Sequence, residues 1–244
     1  MSESVTQPPG ARPGRLDATG ATPPPAVDPP ATAPARPGAG AALRPKVLRA
    51  AWLSIALGLG IEVLLLAAAA FGGKLHGLGP IVAELAQKVS WSVLVCVGIA
   101  FGTAAARARS SVMGLLGLAS APLAFSAARA VHKGVSSALS AASAMAPGPA
   151  PILLALLKAL EYGFLGALVG WAGRRWGKVA AYAGAGAAVG LTLGTLTVVL
   201  MSHADAAAAP AATLASRGIN EMLFPVGCSL VLYAADRVGR HVAG

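Results

Sequence analysis

Six long apolar segments constrain the fold of this 244-residue chain more than any other feature. A helix needs about twenty largely apolar residues to cross a bilayer. The segments that meet this requirement, some of them with their flanks, are 50–72, 89–106, 111–131, 151–173, 179–201 and 219–236. Pro122 and Pro225 lie inside the third and sixth segments, where a bundle tolerates proline, and we expect Pro122 to kink its helix. The pattern predicts an all-α, polytopic integral membrane helical bundle with six transmembrane helices.

The composition excludes the common soluble classes. Only 11% of the residues are charged and 56% are hydrophobic, whereas soluble domains are about one quarter charged. A soluble core of this size could not hide so much apolar surface. Strands of a membrane barrel alternate polar and apolar residues. These segments are unbroken and rich in Ala, Leu and Gly, and this favours helices.

Residues 1–43 differ from the rest because they are rich in Pro and Ala and contain no aromatic residue. Such a segment cannot bury enough apolar area to offset its ordering entropy. We predict a disordered cytoplasmic tail over 1–43 and a six-helix transmembrane domain over 44–244. The first apolar run follows a basic cluster, is about twenty residues long and contains an acid, so we expect an uncleaved signal-anchor helix. Protein partners could dock on the proline-rich tail or on helix-packing faces.

The distribution of Lys and Arg predicts the orientation in the membrane. Ten basic residues lie near the helix ends on one side, between Arg44 and Arg240, against five on the other side. Cytoplasmic ends carry the excess of Lys and Arg. We therefore expect both termini in the cytoplasm and a multi-pass protein of the inner (plasma) membrane. The net charge of +10 is scattered between apolar segments with almost no aromatic neighbours, so it indicates topology rather than nucleic-acid binding.

The even-numbered segments resemble one another. Each begins with a proline, carries a basic residue seven or eight positions later and closes on arginine. The first two also hold a glycine pair four residues apart, Gly98 with Gly102 and Gly166 with Gly170, a spacing that lets helices approach closely. This repeat suggests three helical hairpins over 50–109, 110–175 and 178–240. In the fifth segment, Gly184, Gly186 and Gly190 are interpreted as a further close-packing face.

Ionisable residues within the apolar segments are the candidate functional groups. Glu62 stands in the middle of the first segment, where a charge costs about 3 kcal/mol and so favours burial in the bundle. Lys158 and Glu161 are three residues apart on one helical face and could neutralise each other. Arg217 and Glu221 repeat this arrangement nearer the outer surface. The group could be a polar transport path or a structural lock between helices, with Glu62 either meeting Lys158 or standing in a wet cavity.

Other residue types give little indication of chemistry. His76, His132 and His203 are typical interfacial histidines, and no short ligand spacing supports a metal site with them. Cys96 and Cys228 are read as small buried apolar residues. No catalytic or phosphate-binding motif is present. We expect no enzyme activity, no metal and no cofactor.

Two functions fit the sequence. The first is a transporter or channel for a small solute or ion, with Glu62 as the central binding or coupling group, assisted by Lys158 and Glu161. The alternative is a non-transporting scaffold or accessory subunit of a membrane complex. A compact bundle with no polar cavity that reaches Glu62 would favour the scaffold.

Overall fold

The computed structural model describes residues 39–71, 77–104, 108–139, 151–204 and 211–241. Its helices are α1 (Ala39–Phe71), α2 (Leu78–Phe101), α3 (Arg109–Ala138), α4 (Pro151–Arg175), α5 (Val179–Val189), α6 (Thr195–Ala204) and α7 (Ala211–His241). A short 3-10 helix, Gly102–Ala104, follows α2, and a π-helical segment, Gly190–Gly194, joins α5 to α6. No strand occurs among the described residues.

The all-α bundle with six spans is confirmed. Among the described residues, six helical segments are long and apolar enough to cross a membrane, and α5, the π segment and α6 together form the fifth. The helix α1 begins at Ala39, within the segment 1–43 that the sequence assigned to the tail. Residues 1–38 of that predicted tail lie outside the described residues. Helices α3 and α7 continue through Pro122 and Pro225.

The second and sixth spans, among others, begin earlier than the apolar runs indicated. The second begins at Leu78 instead of 89, and the sixth at Thr213 instead of 219. The added turns contain Glu84, Lys88 and Arg217, whose charges interrupt the apolar pattern. Ion pairing within the bundle allows two of these residues, Glu84 and Lys88, to lie in a span. Lys88, which lies just outside the predicted second segment of 89–106, is therefore a residue of the bundle.

Neighbouring spans run antiparallel in a closed ring. Consecutive spans pack side by side, and α7 returns to pack on α1. Small residues set the register, since Gly58 packs on Val89, Gly98 on Ser120, Gly117 on Tyr162 and Gly186 on Pro225. The tight turn between α4 and α5 contains Gly177, whose φ of 60° is a left-handed conformation that favours glycine.

The predicted glycine faces are largely confirmed. A Cβ atom on Gly166 would clash with the carbonyl oxygen of Met113, and one on Gly102 would lie 2.6 Å from the Met113 side chain. Gly186 and Gly190 lie against backbone atoms of α7. The interpretation of Gly184 as part of that face is wrong, because nothing lies within 4 Å of a Cβ placed there. Gly184 faces away from α7, since only Gly186 and Gly190 share the helical face at i, i+4.

Candidate functional site

A central cavity of about 410 Å³ lies at the end of the bundle where α1, α3 and α6 end and α2, α4 and α7 begin. Every span contributes to its wall. We call this end the cavity end, and the opposite end, with most of the basic helix termini, the basic end. The polar side chains of the wall are Glu84, Gln87, Lys88, Arg129, His132, Lys158, Ser216, Arg217, Asn220 and Glu221. The volume lies within the range of small-molecule sites.

The first charged cluster joins α1 to α2. Glu62, only 2% exposed, forms an ion pair with Lys88, whose ammonium also lies 3.6 Å from Glu84. Lys88 and Glu84 line the cavity, whereas Glu62 lies behind Lys88. The Glu84 side chain is 52% exposed and marks the point where the cavity meets the surface. Glu62 therefore has a base as its immediate neighbour, and this neighbour is not the predicted Lys158.

The register of α1 and α2 explains why Glu62 does not meet Lys158, which was one of the two alternatives left open by the sequence. The Ser92 hydroxyl donates a hydrogen bond to the Ser54 carbonyl oxygen over 2.6 Å. Glu62 lies two turns beyond Ser54 on α1, and Lys88 lies one turn before Ser92 on the antiparallel α2, so the long lysine side chain reaches the Glu62 carboxylate. Lys158 lies on α4 and has carboxylates of its own.

The second charged cluster joins α4 to α7. The Lys158 ammonium lies 2.7 Å from a carboxylate oxygen of Glu161, so the predicted pairing within α4 is confirmed. It also pairs with Glu221 of α7 and lies 5.8 Å from the Tyr162 ring centroid. Glu161 is fully buried, and its Oε1 has no hydrogen-bond partner among the described residues. Arg217, predicted alongside Glu221, lines the same cavity.

Three aromatic rings form the floor of the cavity. Trp91, Tyr162 and Phe224 come from α2, α4 and α7 and meet pairwise edge to face, with ring centroids 5.4 to 6.4 Å apart. Beneath them Cys96 and Cys228 lie with their sulfur atoms 2.9 Å apart, both fully buried. This apolar layer separates the cavity from the basic end.

A third charged cluster closes the basic end. Asp236 of α7, nearly fully buried, lies 3.2 Å from Arg109 of α3 and 3.7 Å from Lys46 of α1. The Tyr182 hydroxyl of α5 donates a hydrogen bond to the same carboxylate over 3.3 Å. Sequence reasoning missed Asp236. A signal was present, because this acid ends an apolar segment on the side where the ends of the other spans are basic.

Two of the three candidate histidines, His132 and His203, lie among the described residues. His132 lines the cavity, and His203 contacts the Val199 carbonyl oxygen of its own helix. His76 lies outside the described residues. Among the described residues, no group of three His, Cys, Asp or Glu side chains could hold a metal ion.

Comparison with known proteins does not indicate a function for this chain. The chain matches no protein-family model, no curated protein and no solved structure. The function is therefore inferred from the cavity and the charged clusters.

Proposed function

We propose that this membrane protein transports a small polar solute and binds it in the central cavity. The observation that carries the proposal is a polar cavity surrounded by all six spans and lined by both charged clusters. Charged groups inside a membrane are costly to keep, and they commonly mark the path of a solute or ion. A scaffold needs no such cavity, because apolar packing faces suffice for docking.

The two ends of the bundle differ as alternating access requires. The cavity end is open to the surface at Glu84, whereas the aromatic layer and the Asp236 cluster obstruct the basic end. With the basic end in the cytoplasm of a cell with an inner membrane, the cavity would face the outside. Transport then requires the aromatic rings to separate and the Asp236 cluster to open, while the cavity end closes.

Such a cycle needs charged groups that can exchange partners, and the first and second charged clusters supply them. Each ammonium is shared by two carboxylates, one at the wall and one behind it. A solute charge that approaches the wall competes with the lysine for the outer carboxylate. In this proposal Glu62 and Glu161 hold the lysines in position, and Glu84 and Glu221 are the carboxylates within reach of the solute.

A thiol block of the cavity tests the proposal. Ser216 lies on the cavity wall, and Ser137 is exposed near the end of α3 outside it. The variants Ser216→Cys and Ser137→Cys are reconstituted in proteoliposomes, and solute uptake is measured before and after a charged methanethiosulfonate reagent is added. Cys96 and Cys228 are fully buried, so the unmodified protein gives the background.

We expect the reagent to stop uptake by Ser216→Cys and to leave uptake by Ser137→Cys unchanged. Equal effects on both variants, or no uptake of any solute by the unmodified protein, would contradict transport through this cavity. Stoichiometric co-purification of a partner with an inactive protein would instead support the scaffold.

A further inference from the structure

We propose that the solute is a free zwitterion, a small organic molecule that carries an ammonium and a carboxylate beside an apolar side chain. This inference rests on the proposed function and names the class of its substrate. It is carried by the charge balance of the cavity and by the positions of the charges that a solute can reach.

The site is formally neutral. Its bases are Lys88, Arg129, Lys158 and Arg217, and its acids are Glu62, Glu84, Glu161 and Glu221. Four positive and four negative charges balance in a region that water reaches from one end only. An ion bound alone would leave an uncompensated charge inside the membrane, which is costly. A zwitterion brings both signs and keeps the balance.

Both signs are within reach at the wall. Among the described residues, no carboxylate lies within ion-pair distance of Arg129, which instead lies 5.4 Å from the Phe125 ring centroid. A guanidinium matches a carboxylate in two parallel hydrogen bonds. On α2, the half-exposed Glu84 lies 3.6 Å from the Lys88 ammonium, which is a long ion pair. The Glu84 carboxylate can therefore accept a hydrogen bond from the ammonium of a solute.

The wall also holds polar atoms that lack partners. His132 Nδ1 and Asn220 Oδ1 are buried without a hydrogen-bond partner among the described residues. Buried polar atoms are normally satisfied, so these two point to a polar group that completes the site. Beside them, Leu65, Leu154 and Met201 form an apolar part of the wall that suits an aliphatic side chain.

Four probes that share one isobutyl group separate the charge classes. They are leucine (zwitterion), 4-methylpentanoate (anion), 3-methylbutylamine (cation) and 3-methylbutanol (uncharged). Binding to the full chain in detergent is measured as ligand-dependent thermal stabilisation. We expect leucine to bind at least about tenfold more tightly than each of the other three.

Two charge-neutralising variants should reverse this selectivity in opposite directions. Arg129→Gln leaves the site with one excess negative charge, so binding of 3-methylbutylamine should gain relative to 4-methylpentanoate. Glu84→Gln leaves one excess positive charge, so the anion should gain relative to the amine. Neither side chain is buried, and both variants should fold. Arg237→Gln, an exposed change at the basic end, is the matched control and should keep the ranking of the unmodified protein.

Three results would overturn the inference. They are equal binding of the anion, the cation and leucine, an unchanged ranking in both variants, and stabilisation by phosphatidylethanolamine but not by free leucine. The last result would assign the site to a lipid headgroup. A thiol block that stops uptake of a different solute would leave the proposed function in place while this inference failed. The absence of such a block would remove the proposed function itself.

Discussion

Removing Lys88 should destabilise the bundle much more than removing its partner Glu62. Glu62 is 2% exposed, and Lys88 is its ion-pair partner among the described residues. Lys88→Met therefore leaves a buried carboxylate without a base, at a cost of about 3–5 kcal/mol. In Glu62→Gln, by contrast, the ammonium keeps Glu84 at 3.6 Å and reaches the cavity. The amide should cost only about 0.5–1.5 kcal/mol.

The native cysteines report the effect. Both thiols are fully buried, so a thiol-reactive fluorogenic dye marks unfolding without added labels. For a chain of this size, about 2–4 °C of melting temperature corresponds to 1 kcal/mol. We expect Lys88→Met to lower the apparent melting temperature by about 6–20 °C and Glu62→Gln by about 1–6 °C.

The double variant, Glu62→Gln with Lys88→Met, tests whether the unpaired Glu62 carboxylate causes the loss of stability in Lys88→Met. It removes the unpaired carboxylate and should be more stable than Lys88→Met alone, with a coupling energy of about 2 kcal/mol. Equal losses in the two single variants, or additive losses in the double variant, would refute the asymmetry and the placement of Glu62 behind Lys88.

Three further predictions address the packing. Asp236→Asn leaves two cations at the basic end without their carboxylate and should lower the apparent melting temperature by about 6–20 °C; a loss below 2 °C would contradict the role of this cluster in closing the basic end. Gly166→Ala should prevent α3 and α4 from packing and reduce the yield of folded protein, measured by gel filtration in detergent, whereas Gly184→Ala, with open space around it, should behave as the unmodified chain. A membrane-permeant oxidant should join Cys96 to Cys228, seen as a loss of thiols titratable after denaturation; persistence of two free thiols would contradict the 2.9 Å contact of α2 with α7.

Local patterns allowed the spans and one ion pair to be predicted from the sequence. An apolar run of about twenty residues is long enough to span a bilayer whatever packs beside it. Lys158 and Glu161 share a helical face three residues apart, so helix geometry alone brings them together. The glycines of the predicted close pairs likewise lie at helix contacts, because a missing side chain is visible in the sequence itself.

Pairings between spans could not be predicted in the same way. The partner of Glu62 depends on where α2 begins, and the predicted second segment of 89–106 leaves Lys88 just outside it. Asp236 was overlooked because its partners, Lys46 and Arg109, belong to two other spans and are at least 127 positions distant in the chain. A charged residue within a span lowers the mean hydropathy of that segment and hides the start or end of the span. The partner that neutralises the charge depends on how neighbouring helices align, and a single sequence does not show that alignment.

The third even-numbered span differs from the other two in the residue that stands one helical turn before its aromatic ring. In α2 and α4 a lysine precedes the aromatic ring by one helical turn, Lys88 before Trp91 and Lys158 before Tyr162. In α7 the residue one turn before Phe224 is Glu221. Three ammonium groups around one ring cluster would repel each other in a low dielectric. The acid instead pairs with Lys158, so this difference removes that repulsion and places both signs of charge above the aromatic floor, as the proposed recognition of a zwitterion requires.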